Sequence, residues 1–268
     1  MKFASICLLT TLCALPQISA AQLGSSSVPD ANPGRPTVST PATLPPVGYL
    51  QFENGGVFAE QSPEFSNRVG TSQVTKLSVV PRLELFLQSE PLAISTSEGQ
   101  TSVHEGEVFA GVQTAVLSGS ESRPSLSISY TRRLHVSVAP EFDIGTFRQS
   151  ASILLSDDLG GFHVDTNGIF AEQIQGAVHR AQFGQTLSIS HRIKKFTISA
   201  EVWHFSQPFL RGNALGNLWA VSYSLHNNLV LDAGFDHGLT KTSTRWQDFV
   251  GFTYLLPHRL WKDPAKQR

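Results

Sequence analysis

The chain has 268 residues and a formal net charge of -1, with 20 Lys and Arg against 21 Asp and Glu. That balance leaves no basic footprint for nucleic acid. Charged residues make up 15% and hydrophobic residues only 40%, so the chain is poorer in charge than a typical soluble domain, at ~25%, without being rich in apolar residues.

The N-terminus reads as an export signal over residues 1–21. Lys2 precedes an apolar run from about Ile6 to Leu15, and Ser19, Ala20 and Ala21 supply small residues for cleavage near Ala21. Both cysteines, Cys7 and Cys13, fall inside this segment. The mature chain is therefore expected to lack disulfides and thiolate metal sites. Beyond it, no stretch approaches the ~20 apolar residues of a membrane helix, which says nothing against a β-barrel.

Residues 22–45 are rich in Pro, Ser, Thr and Ala, without periodicity. They read as a disordered or extended leader. From residue 46 to 256 the chain changes to short alternating segments of period two. "RLELFLQS" sets Leu83, Leu85 and Leu87 against Arg82, Glu84, Phe86 and Gln88. "SLSISYT" sets Leu126, Ile128 and Tyr130 against serines and Thr131. "NLVLDAGFDHGL" sets Leu229, Leu231, Ala233 and Phe235 against Asp232, Gly234 and Asp236.

About twelve strands are expected, over 47–59, 71–80, 82–92, 105–117, 124–135, 146–156, 160–171, 182–192, 195–206, 215–226, 228–240 and 246–256. No helix is expected. The links after even strands are short, as in "VPR", "DDLG", "HRIKK" and "HNN". Those after odd strands are mostly longer, as in "EQSPEFSNRVG", "SEPLAISTSEGQTSVHEG" and "AEQIQGAVHRAQ". Length alternating in step with strand parity is a property of outer-membrane barrels. The expected fold is all-β: an antiparallel transmembrane β-barrel with short periplasmic turns and longer extracellular loops. It lies in the outer membrane of a Gram-negative-type bacterium, among its lipids. A soluble periplasmic sandwich or lipocalin-like binding protein is the alternative, since half-buried sheets alternate too.

In hydrocarbon every backbone polar group needs an internal partner, so the sheet must close. One face then meets lipid, where a basic residue at mid-bilayer costs about 2–4 kcal/mol. Glu53, Glu84, Asp165, Glu201, Asp232, Asp236, Lys76, Arg82 and His163 all fall on the polar phase of their strands. They are expected to face the lumen, more as structural ion pairs than as binding groups. The Trp and Tyr residues near strand ends suggest interfacial girdles. Residues 257–268 follow the last strand as a polar C-terminal tail, with Pro257 stopping that strand.

The segments "LPPVGYLQFENGG", "SDDLGGFHVDTNG", "SAEVWHFS", "NNLVLDAGFDHGLT" and "DFVGFTYLL" resemble the MetA-pathway of phenol degradation family of outer-membrane transporters. Gly48, Gln51, Glu53, Glu201, Asp232, Gly234, Gly238 and Leu239 carry the likeness. It implies a barrel of about twelve strands that passes small apolar or aromatic solutes, with no cofactor and no catalytic residues. Insertion by the barrel-assembly machinery is the accompanying expectation. Two departures stand out: Glu107 where the family usually has Asp, without the usual basic residue after the following Gly, and the tail beyond Leu256. Motifs for metal or phosphate chemistry are absent from the sequence. The nine histidines are scattered, and no Ser–His spacing marks a barrel hydrolase, which stays a minor alternative to a non-enzymatic transporter.

Overall fold

The computed structural model describes residues 28–120, 122–140, 147–210 and 212–261. The expected signal segment 1–21 and the tail from residue 262 lie outside them. Among the described residues there is no helix, and fourteen strands form one antiparallel sheet.

The strands are β1 Leu50–Glu60, β2 Asn67–Val80, β3 Leu83–Ser89, β4 Ala93–Ser97, β5 Gln100–His104, β6 Val108–Leu117 and β7 Ser125–His135. They continue as β8 Phe147–Leu159, β9 Phe162–Gln175, β10 Val178–Ile193, β11 Phe196–Ser206, β12 Asn213–His226, β13 Leu229–Gly238 and β14 Trp246–Leu255. Each pairs with its neighbour in sequence, except that β3 pairs with β6 across the β4–β5 hairpin. β1 pairs with both β2 and β14, from Gln51↔Leu255 to Glu60↔Trp246 on the closing side. The result is a closed twelve-strand barrel with a side hairpin docked on the end of β2 through Asn67↔Thr96 to Gly70↔Ala93.

Alternation assigns the two faces. Outward residues include Ile128, Ile153, Ile198, Leu231 and Val250, all large, apolar and exposed. Inward residues on the same strands are Ser127, Ser129, Ser199, Glu201 and Asp232, all buried. The sheet is thus inverted relative to a soluble sandwich: its buried face is the polar one.

One end of the barrel carries tight turns at Pro81–Arg82, Gly160–Gly161, Lys194–Lys195 and Asn227–Asn228. Gly160 and Gly161 both adopt positive φ, which glycine tolerates without strain. Two expected long loops differ in structure. "AEQIQGAVHRAQ" is mostly sheet, because β9 and β10 run on and pair from Gln175↔Val178 inward. The link after β3 folds into the β4–β5 hairpin. Arg82 is a correction: the strand phase extended one residue too far, and Arg82 sits exposed in the β2–β3 turn. Its predecessor Pro81 has no N–H to donate to a ladder.

The last described residues fold back onto the tight-turn end. Leu260 N–H donates to Gly48 C=O (2.7 Å), and Trp261 Nε1 donates to Val79 C=O (3.2 Å).

Candidate functional site in the barrel lumen

The leader supplies the main departure from expectation. Residues 31–46 form neither helix nor strand, but they are not free chain: they run inside the barrel. The segment enters at the tight-turn end, where Ala31 N–H donates to Asn227 C=O (2.8 Å). It reaches mid-height at Val38 and Ser39, opposite Glu201 in the middle of β11. It returns to the same end, where Gly48 N–H donates to Ser78 C=O (2.8 Å), and passes into β1.

Proline content explains both the conformation and the docking. Pro33, Pro36 and Pro41 prevent helix and ladder formation, so the remaining peptide groups need partners from elsewhere. The wall provides them with side chains. Gln51 and Asn167 each clamp one residue at both backbone groups. Asn32 N–H donates to Gln51 Oε1 (2.9 Å), and Gln51 Nε2 donates back to Asn32 C=O (2.7 Å). Thr40 N–H donates to Asn167 Oδ1 (2.6 Å), and Asn167 Nδ2 donates to Thr40 C=O (2.9 Å). Ala42 is held likewise by two serines: its N–H donates to Ser156 Oγ (2.7 Å), and Ser127 Oγ donates to its C=O (2.5 Å).

The expected lumen carboxylates take part in this docking. Glu201, buried on β11, accepts from Val38 N–H (2.7 Å), Ser39 N–H (2.7 Å) and the Ser39 hydroxyl (2.5 Å). Glu53 accepts from Gly34 N–H (3.0 Å) and pairs with Lys76 (2.6 Å). Asp232 pairs with Arg35 of the inserted segment (3.1 Å). Asp165 accepts from Ser156 (2.5 Å) and faces His163 (3.3 Å), which also reaches Asp158 (2.7 Å). Asp236 accepts from Trp203 Nε1 (2.8 Å). Glu84 is buried close to the Glu53–Lys76 pair. Of the nine sequence-selected residues, eight therefore lie on the inner face and Arg82 does not.

Sequence reasoning missed the roles of Arg35, Gln51 and Asn167, and the seating of the inward aromatics on glycines. Trp203, on the same strand phase as Glu201, is buried inside the barrel. Four inward aromatics sit over glycines directly across the ladder: Phe86 on Gly111, Phe205 on Gly184, Trp203 on Gly216 and Phe249 on Gly234. A Cβ on any of these glycines would collide with the ring it carries. The aromatic ring covers the ladder that glycine leaves bare.

The inserted segment divides the lumen. Beside it, from the tight-turn half to mid-height, lies a cavity of about 350 Å³ lined by Val38, Lys76, Glu84, Phe86, Leu154 and Ile169 among others. Below it, at the tight-turn end, lie cavities of about 340 Å³ and 720 Å³. Pro41 and Thr43 contribute to the first of these and Ala42 to Pro46 to the second. Near the long-loop mouth, Arg68 pairs with Glu90 (2.6 Å) and Arg133 with Glu107 (2.7 Å). Burial pushes the Glu90 and Glu107 carboxyls up from the usual range, against the pull of their arginines.

No family model matches the chain, and no curated protein matches it in sequence. Solved structures do match. The NanC porin superposes with a TM-score of 0.55 at 10% identity, over 77% of this chain and 100% of that one. The KdgM porin gives 0.53 at 9% identity, over 76% and 98%. The same porin in complex with disordered oligogalacturonate gives 0.53 at 10% identity, over 76% and 98%. Likeness at this identity is likeness of fold: the chain is a closed antiparallel barrel of the outer-membrane porin type.

Proposed function

We propose that this barrel resides in the outer membrane and passes small solutes, and that its own residues 31–43 close it at rest. The observation that carries this reading is the polar lumen, divided at mid-height by a segment held through side chains rather than a ladder. Such a segment can leave without breaking the barrel, because every wall strand is paired on both sides without it. The large apolar residues on the outer face would be costly in water and are matched to lipid.

In this orientation the tight turns face the periplasm and the long loops face outward, so the segment inserts from the periplasmic side. Resemblance to the phenol-degradation family suggests a solute with an apolar or aromatic body, which can carry a charged group at one end. Val38, Phe86, Leu154 and Ile169 give the cavity beside the segment a partly apolar wall that suits a small ring.

Planar-bilayer recording tests the closure. The intact chain should conduct little, and deletion of residues 31–43 should raise unit conductance several-fold. Equal conductance of the two proteins would remove the segment from any gating role.

A further inference from the structure

The place where Arg35 sits is shaped for its side chain. The guanidinium lies across Gly55 and Gly251, which face each other on β1 and β14, and a Cβ on either would collide with it. Arg35 Nη2 donates to Asp232 Oδ1 (3.1 Å) and Nη1 to Ser72 Oγ (3.0 Å). The Asp232 side chain is only 2% exposed and that of Arg35 18%. Paired glycines for a flat cation, a carboxylate at its edge and a hydroxyl beside it make a guanidinium recess in the wall.

The surrounding wall has the same preference. Without the inserted segment, mid-barrel carries Glu53, Glu84, Asp165, Glu201 and Asp232, against Lys76 and His163. The segment answers three of these carboxylates with donors: Arg35 to Asp232, Gly34 N–H to Glu53, and Val38 and Ser39 N–H to Glu201. Once the segment leaves, Glu53 keeps Lys76, but Asp232 and Glu201 lose the segment's donors in a confined lumen, where charge is poorly screened and opposite charge is favoured.

We propose that this recess is the solute-recognition site, that the solute it takes carries a guanidinium or similar planar organic cation, and that the solute exchanges with Arg35 to withdraw the segment. This rests on the reading of residues 31–43 as the closing element. The segment is then a tethered stand-in for the solute. A ligand can shift the closed state only by its differential affinity for the open one, and a recess occupied by Arg35 when closed and by solute when open supplies that difference.

The exchange is tested without relying on conduction. Thr37→Cys is introduced into the full chain with Cys7→Ala and Cys13→Ala, and maleimide labelling is followed in detergent. Agmatine should accelerate labelling several-fold, while a neutral solute of similar length and glutarate should not. Asp232→Asn should raise basal labelling and abolish the agmatine response. No acceleration by agmatine, or equal acceleration by glutarate, overturns the proposal. In bilayers under a KCl gradient, the chain lacking residues 31–43 should give a cation-selective reversal potential, and an anion-selective one overturns the proposal. If that chain fails to conduct at all, the channel reading fails, while the labelling result still decides the recognition site.

Discussion

At the scale of single residues, the distinction between the two faces is sharpest at the neighbours Leu231 and Asp232. Leu231 points outward, 42% exposed, and Asp232 points inward at 5%. Leu231→Arg should cost about 2–4 kcal/mol near mid-bilayer, read as a lowered urea midpoint for the barrel in lipid vesicles. Retention of the wild-type midpoint would mean that the faces are reversed. The glycine–aromatic pairs offer a second measurement. Gly111→Val forces Phe86 off its seat, and overpacking of this kind costs about 1–3 kcal/mol in the same assay. The charged residues were legible because charge on alternate positions of an otherwise apolar strand reports a face. Arg82 was misplaced because phase does not say where a strand stops. The seat of Trp203 was not legible, because a tryptophan close to a strand end reads the same whether it meets headgroups or a glycine on the neighbouring strand.

At the scale of elements, the β4–β5 hairpin and the inserted segment are both additions to a closed ring. β3 and β6 pair directly from Leu83↔Thr114 to Ser89↔Val108, so the hairpin is outside the closure. Replacing residues 93–104 by a short glycine-rich link should leave a barrel whose gel mobility still changes on boiling. Loss of that change would assign the hairpin a part in closure. The inserted segment is the element least visible in sequence. Its proline, serine and threonine content matches that of disordered chain, and only the wall's Gln51, Asn167, Ser127, Ser156 and Glu201 give it a fixed path. Those partners lie up to 163 positions away, as Glu201 does from Val38, and composition within the segment carries no trace of them. The long β9–β10 hairpin was mistaken for a loop because its outer part leaves the apolar band: Glu172 and His179 put polar groups on the outward phase there while the ladder continues.

At the scale of the whole molecule, the apolar exterior and the polar interior predict behaviour in fractionation. The protein should remain with outer membranes through a carbonate wash and run differently in SDS gels before and after boiling. Release into the soluble fraction would sink the membrane placement. The number of barrel strands, the inner and outer faces, and the short-turn end were determined by the sequence alone, because period-two alternation and turn residues are local signals that each strand carries for itself. The occupied lumen, the docking of residues 31–46 and the Arg35 recess were decided only by the tertiary structure. Those features join β1, β9, β11 and β13 across the inside of a closed sheet, and such neighbours exist only once closure has brought them within hydrogen-bonding distance.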